Sequence, residues 1–91
     1  MSQFEKLLFI LLNGQSDQQM RFDDLVKVLV KLGFDGRQKG SHHIFWKDGI
    51  SEIVNLQPAG DLSKAYQVKQ VRELIVKYKL VQAGESHEPP L

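Results

Sequence analysis

The sequence predicts an α+β domain: a three-stranded antiparallel sheet with two helices on one face, preceded by an extra N-terminal helix. Three observations lead there. Apolar residues recur at helical spacing in two separated stretches, at Phe22, Leu25, Val26, Leu29 and Leu32 and again at Val68, Val71, Leu74, Ile75 and Tyr78. Between them lie short runs rich in aromatic and β-branched residues, the signature of strands. Two of these runs are joined by Asp48-Gly49, a two-residue connection that only antiparallel neighbours can use.

The first helix is expected over residues 3–12. Ser2 and Glu5 have capping-box spacing, in which a hydroxyl and a carboxylate each satisfy a free backbone donor, and Asn13-Gly14 stops the helix. Phe4, Leu7, Leu8 and Leu11 form an amphipathic stripe, so this helix is expected to close the core rather than to serve a partner. Residues 15–19 are polar and read as a loop. A second helix is expected over 22–32, with Asp23 and Asp24 at its positive end, Gly33 as its C-cap and Phe34 folding back on the last turn.

Strands follow over 34–38, 42–47 and 50–56, with Asp48-Gly49 as a hairpin turn of the primed type. Asp61 and Ser63 offer N-caps for a last helix over 64–80, on which Lys69, Glu73 and Lys77 stand four apart as a ladder of charge pairs. Residues 84–91 hold two prolines and no periodicity, and a disordered tail is expected there, leaving one domain over 1–83. The order helix, three strands, helix matches the double-stranded RNA-binding type of fold in outline. A fold alone does not give a function.

Composition narrows the classes. At 91 residues the chain has room for a single domain, and 42% hydrophobic with 25% charged residues excludes a disordered or fibrous chain. The absence of cysteine removes disulfides, thiolate nucleophiles and thiolate zinc sites, and fits the expected cytoplasmic location. The longest apolar run, residues 7–12, falls far short of the ~20 residues a membrane helix needs, and no membrane association is expected. The net charge of +1 conceals an asymmetry: Arg37, Lys39, Lys47, Lys64, Lys69, Arg72, Lys77 and Lys79 face only Asp48, Glu52, Asp61 and Glu73 over the second half of the fold. That half can meet phosphate, although such an excess also occurs on plain solvated surfaces.

The segment Lys39-Gly40-Ser41-His42-His43 carries the candidate chemistry. An imidazole titrates near neutral pH and can take and return a proton in phosphodiester cleavage. His43 is the candidate for that role, with Gly40 and Ser41 where backbone can approach a phosphate and with Lys39 and Arg37 nearby. In RNA the 2′-hydroxyl supplies an internal nucleophile, so neither a metal nor another cofactor is required. Adjacent strand residues face opposite ways, so one histidine of the pair is expected to be structural. The competing reading makes the pair a surface feature beside a turn. Trp46 or Phe45 could stack a base, one of them being core by alternation, whereas Tyr66 and Tyr78 are expected to pack within the helices. His87 is the only other histidine and no zinc spacing exists.

Leu32-Gly33-Phe34, then Lys39-Gly40-Ser41-His42-His43-Ile44-Phe45, the Asp48-Gly49 turn and Tyr66-Gln67-Val68-Lys69-Gln70-Val71-Arg72 resemble the HicA family, the toxins of HicA/HicB toxin–antitoxin pairs. The resemblance covers residues 21–80. It implies a small ribonuclease that cleaves mRNA and is held inactive by a HicB-like antitoxin. It places the catalytic histidine at the end of Gly-Ser-x-His, on His43, with the family glycine and serine on Gly40 and Ser41. Lys39, Ser41, Gly40 and Arg37 are then expected to hold RNA, with Lys69 and Arg72 adding general attraction. The chain departs from the common pattern in its added helix, its low net charge, and its lack of a basic, histidine-bearing sequence over residues 57–64. A non-catalytic RNA-binding module of the same fold is the alternative, and a protein-interaction domain with an open sheet face is a third.

Overall fold

Ser2 opens helix α1 (Gln3–Asn13) with the expected capping box: its hydroxyl accepts the Glu5 N–H while the Glu5 carboxylate accepts the Ser2 N–H, each at 3.1 Å. The computed structural model describes residues 2–81, so the expected tail at 84–91 lies outside the described residues. A 3-10 turn at Asp17–Gln19 breaks the segment read as loop. Helix α2 (Phe22–Lys31) ends in a Schellman arrangement, with the Gly33 N–H bonded to the Val30 carbonyl and the Phe34 N–H to the Leu29 carbonyl. Phe34 is therefore spent on closing the helix, and β1 begins one residue later than expected, at Asp35–Lys39.

Strands β2 (His42–Lys47) and β3 (Ile50–Leu56) have the expected bounds, and the antiparallel sheet runs in the order β1-β2-β3. The turn between β2 and β3 is not of the primed type. Primed turns need a positive φ at their first central residue. Here Gly49 has φ +90° and Asp48 does not. The twist is taken up instead by a bulge: Phe45 pairs with Val54 and Lys47 with Ile50, so Trp46 faces three residues of β3.

Helix α3 (Ala65–Lys77) is shorter than the expected 64–80. Lys79 turns left-handed at φ 51°, and the Leu80 N–H bonds back to the Ile75 carbonyl, folding Leu80 onto the core. Neither expected N-cap is used. Residues 59–63 form a tight turn bridged to Arg21, in which the Asp61 carbonyl accepts the Phe22 N–H and Ser63 is drawn inside, so Lys64 occupies the cap with no side-chain bond. Among the described residues the buried Ser63 hydroxyl has no partner.

One core unites the elements. Leu25, Val28 and Leu29 of α2 and Val68, Val71 and Ile75 of α3 pack with Phe45, Val54 and Leu56 on one sheet face, and Leu8 and Leu11 of α1 join the same cluster. Burying a leucine contributes about 1.5–3 kcal/mol, so α1 is held by the core. The sheet's other face, with Arg37, Lys39, His42, Ile44, Trp46 and Asn55 in register, carries no helix among the described residues. Phe45 is thus the core aromatic of the pair, and Trp46 faces outward. Tyr66, expected to pack, is 67% exposed. Among the described residues no helix is long and apolar enough to cross a membrane.

Charges lock the periphery. Arg72 donates to both Asp17 carboxylate oxygens, at 2.9 and 3.0 Å, and to the Leu11 carbonyl at 3.1 Å, tying α3 to the end of α1. The expected ladder on α3 is not formed, because Lys77 turns to Glu52 of β3 at 2.6 Å, where Tyr78 also donates. These two donors, Lys77 first, hold the Glu52 carboxyl at about 2, below its usual 4.5.

Two outcomes follow from these contacts. Arg72→Ala should lose about 2 kcal/mol of stability, the typical scale for hydrogen bonds to a charged group, read as a lower urea midpoint. A folded-state pKa depressed from 4.5 to about 2 gives stability present above pH 4.5 and lost as pH falls toward 2. The urea midpoint of the wild type should therefore decline across that window more steeply than that of Glu52→Gln.

Candidate active site

The β1–β2 hairpin closes through Gly40-Ser41, with Lys39 paired to His42. Gly40 takes φ +62° at the first turn position, the arrangement of a II′ turn, which a residue with a Cβ adopts only with strain. A Cβ there would meet nothing within 4 Å, so backbone geometry and not crowding requires the glycine. The turn delivers the histidine pair at the start of β2, one to each sheet face.

His43 faces the helices. It stands opposite Gln38 on β1 and Leu56 on β3, half-buried, with its ring edge-on to Phe22 at 4.8 Å between centroids and 66° between planes. It lines an open depression of about 260 Å³ with Val30, Gly36, Arg37, Gln38 and Phe45. Gly36 leaves that space because the Phe45 ring lies across it: a Cβ would come within 2.6 Å of the ring. Gln38 is itself engaged, donating to the Gly40 carbonyl at 3.0 Å.

His42 faces outward and is exposed, with Nδ1 3.1 Å from Oδ1 of Asn55 on β3. A carboxamide oxygen only accepts, so this contact suits the ring form that carries a proton on Nδ1. Beside it, Ser41 Oγ accepts from Gln57 Nε2 at 3.1 Å, and Gln57 Oε1 accepts from Lys64 Nζ at 3.4 Å. Gln57 is fixed in turn by the buried Gln67 of α3, whose Oε1 accepts the Gln57 N–H at 3.1 Å and whose Nε2 donates to the Asn55 carbonyl at 3.2 Å.

The residues expected at the site therefore divide. Lys39, Gly40 and Ser41 gather at the hairpin with His42, and Arg37 stands on the same exposed strand. Lys69 is exposed on α3. Arg72 is elsewhere, its guanidinium enclosed by Asp17 and Leu11 with 19% of the side chain exposed. Asn55, Gln57 and Gln67 escaped sequence reasoning because their partners are remote in the chain, and Lys64 entered only as one of the basic residues of the second half. Gln67 alone left a trace, as a polar residue on the apolar stripe of its helix.

A three-stranded antiparallel sheet backed by two helices, with an imidazole, hydroxyl, amide and ammonium group around its first hairpin, defines a small α+β domain of the double-stranded RNA-binding type. The family model described as "HicA toxin of bacterial toxin-antitoxin" matches residues 22–84, more than half of the chain. The chain belongs to the HicA family and is the toxin of a toxin–antitoxin system. Helix α1 lies outside the matched segment. Comparison with curated proteins and with solved structures gives no match.

Gln67→Leu leaves the Gln57 N–H and Asn55 carbonyl without their partner. It should cost about 1–3 kcal/mol, measured by urea unfolding, and speed amide exchange at Gln57.

Proposed function

We propose that this toxin is a metal-independent endoribonuclease that cleaves mRNA in the cytoplasm, using an imidazole of the hairpin segment for proton transfer. The observation that carries the reading, together with family membership, is the hairpin itself: its turn brings two histidines to the start of β2, one to each face, next to a Ser41 that is bonded through Gln57 to Lys64. An imidazole takes the proton of a 2′-hydroxyl, the 2′-oxygen attacks phosphorus, and the bond to the 5′-oxygen breaks. A 2′,3′-cyclic phosphate forms, and the proton is delivered to the departing oxygen. Lys39, Gly40, Ser41 and Arg37 lie where RNA phosphate would approach, and Lys69 adds attraction along α3. Arg72 is withdrawn from that set because Asp17 and Leu11 occupy it. One domain over residues 1–83 contains the site, with a HicB-like antitoxin as the partner that restrains it.

The family pattern assigns the proton transfer to His43. A second reading assigns it to His42, and a specific observation favours it: the exposed His42 ring is held through Nδ1 by Asn55, next in the chain to Ser41, which is bonded through Gln57 to Lys64. His43 then acts as a packing group against Phe22.

One experiment separates these readings. Wild type, His42→Ala and His43→Ala are induced in bacteria with growth, protein level and mRNA integrity followed, and the purified proteins are assayed on RNA. Loss of the catalytic imidazole should slow cleavage by about 10²- to 10⁴-fold, with the thermal melt showing that the variant remains folded. Full cleavage by both variants would sink the histidine mechanism. Intact RNA after long incubation with folded wild type, combined with salt-sensitive RNA binding, would favour the non-catalytic module.

A further inference from the structure

Tyr66 is exposed where the surrounding chain gives it no packing role. It stands in the first turn of α3, directly after the stretch that ends with Lys64, and the residue is 67% exposed. Its hydroxyl is not free to wander. Gln67 Nε2 donates to it at 3.4 Å while also holding the Asn55 carbonyl, and Gln67 itself is only 4% exposed. A buried amide thus anchors the polar end of an exposed ring. What the ring offers outward is its π surface.

That surface sits beside polar groups suited to an anion. Gln67 links Tyr66 to the Gln57 backbone, and the Gln57 side chain links onward to Ser41 Oγ and Lys64 Nζ. Lys64 is the cap residue of α3, whose first turn contains no acidic residue and whose free N–H groups lack a side-chain cap. Phosphate is the anion that such a set of ammonium, hydroxyl and amide donors would receive, and a flat ring fixed next to it suits the base of the same or the adjoining nucleotide. The groups come from three elements remote in sequence: the β1–β2 turn, the end of β3 and the start of α3. The groups are held by bonds to one another, so the arrangement is built by the fold.

We propose that Ser41, Gln57, Lys64 and Tyr66 form a subsite for one nucleotide of single-stranded RNA, with phosphate on Lys64, Ser41 and the Gln57 amide and the base stacked on Tyr66. The subsite rests on the ribonuclease reading for its substrate class and gives the enzyme its hold on RNA next to the scissile bond. Stacking accepts every base, so Tyr66 contributes affinity more than sequence choice. Gln67 is the positioning residue, since it touches no substrate and sets both Gln57 and Tyr66.

The test uses the full chain and two fluorescent probes in a titration read by anisotropy. One is a short 2′-O-methyl RNA, which lacks the internal nucleophile and survives; the other is a ribose-phosphate chain of equal length without bases. Tyr66→Ala should weaken binding of the RNA by about 5- to 150-fold, the range for loss of one stacked base, and leave the abasic probe unchanged. Tyr66→Phe, which keeps the ring, should retain RNA affinity. Lys64→Ala should weaken both probes alike and flatten the dependence of affinity on salt. The subsite is overturned if Tyr66→Ala binds RNA as the wild type does, or if it loses both probes equally. Cleavage of unmodified RNA by the wild type reports separately on the ribonuclease reading, so a chain that cleaves while Tyr66→Ala binds normally loses the subsite alone.

Discussion

A single buried carboxamide sets the relation between sheet and helix on which the site depends. β3 is an edge strand, and an edge leaves backbone donors and acceptors without a ladder partner. Gln67 supplies that partner from α3, accepting the N–H of Gln57 just past the strand's end and donating to the Asn55 carbonyl two residues before it, as a neighbouring strand would. Every atom of this amide is satisfied inside the protein, which is the condition under which a buried polar group fixes a geometry instead of weakening it. Through the same contacts it orients Gln57 toward Ser41 and Lys64 and anchors Tyr66.

Basic residues that look equivalent in a charge count do different work. Arg72 closes the junction of α3, the 3-10 turn and the end of α1, where a planar guanidinium can meet a carboxylate with two bonds and still reach a backbone carbonyl. Lys77 and Tyr78 tie the end of α3 to β3 through Glu52. Arg37, Lys39 and Lys69 are exposed, and Lys64 makes only a long bond to Gln57. The cationic surface that faces outward is therefore smaller than the sequence suggests. Helix α1, outside the family match, is integrated by Leu8, Leu11 and the Arg72 clamp.

The histidine pair shows how a strand divides neighbouring residues of the same type between two environments. His43 meets an aromatic ring and the wall of a depression, whereas His42 meets an amide oxygen and solvent. Proton transfer needs an oriented imidazole with a nitrogen open to substrate, and the Asn55 contact orients His42. Family pattern and local geometry therefore point to different members of the pair.

Local features were legible in the sequence because their causes are local. The capping box at Ser2 and Glu5, the stop at Gly33 and the bounds of β2 and β3 follow from spacing, turn residues and the two-residue period. The alternation also established that His42 and His43 would face apart. Where the expectations failed, tertiary contacts had overridden local preference. The β2–β3 turn yielded to a bulge at Trp46, α3 stopped early to fold Leu80 onto the core, and Lys77 left its helix ladder for Glu52. The sequence by itself determined the order of elements, the core stripes and the hairpin that bears the histidines. Only the tertiary structure decided that Arg72 is a clamp, that Gln67 is a strand partner and that Gln57, Lys64 and Tyr66 stand together, because each depends on groups brought close by folding rather than by spacing along the chain.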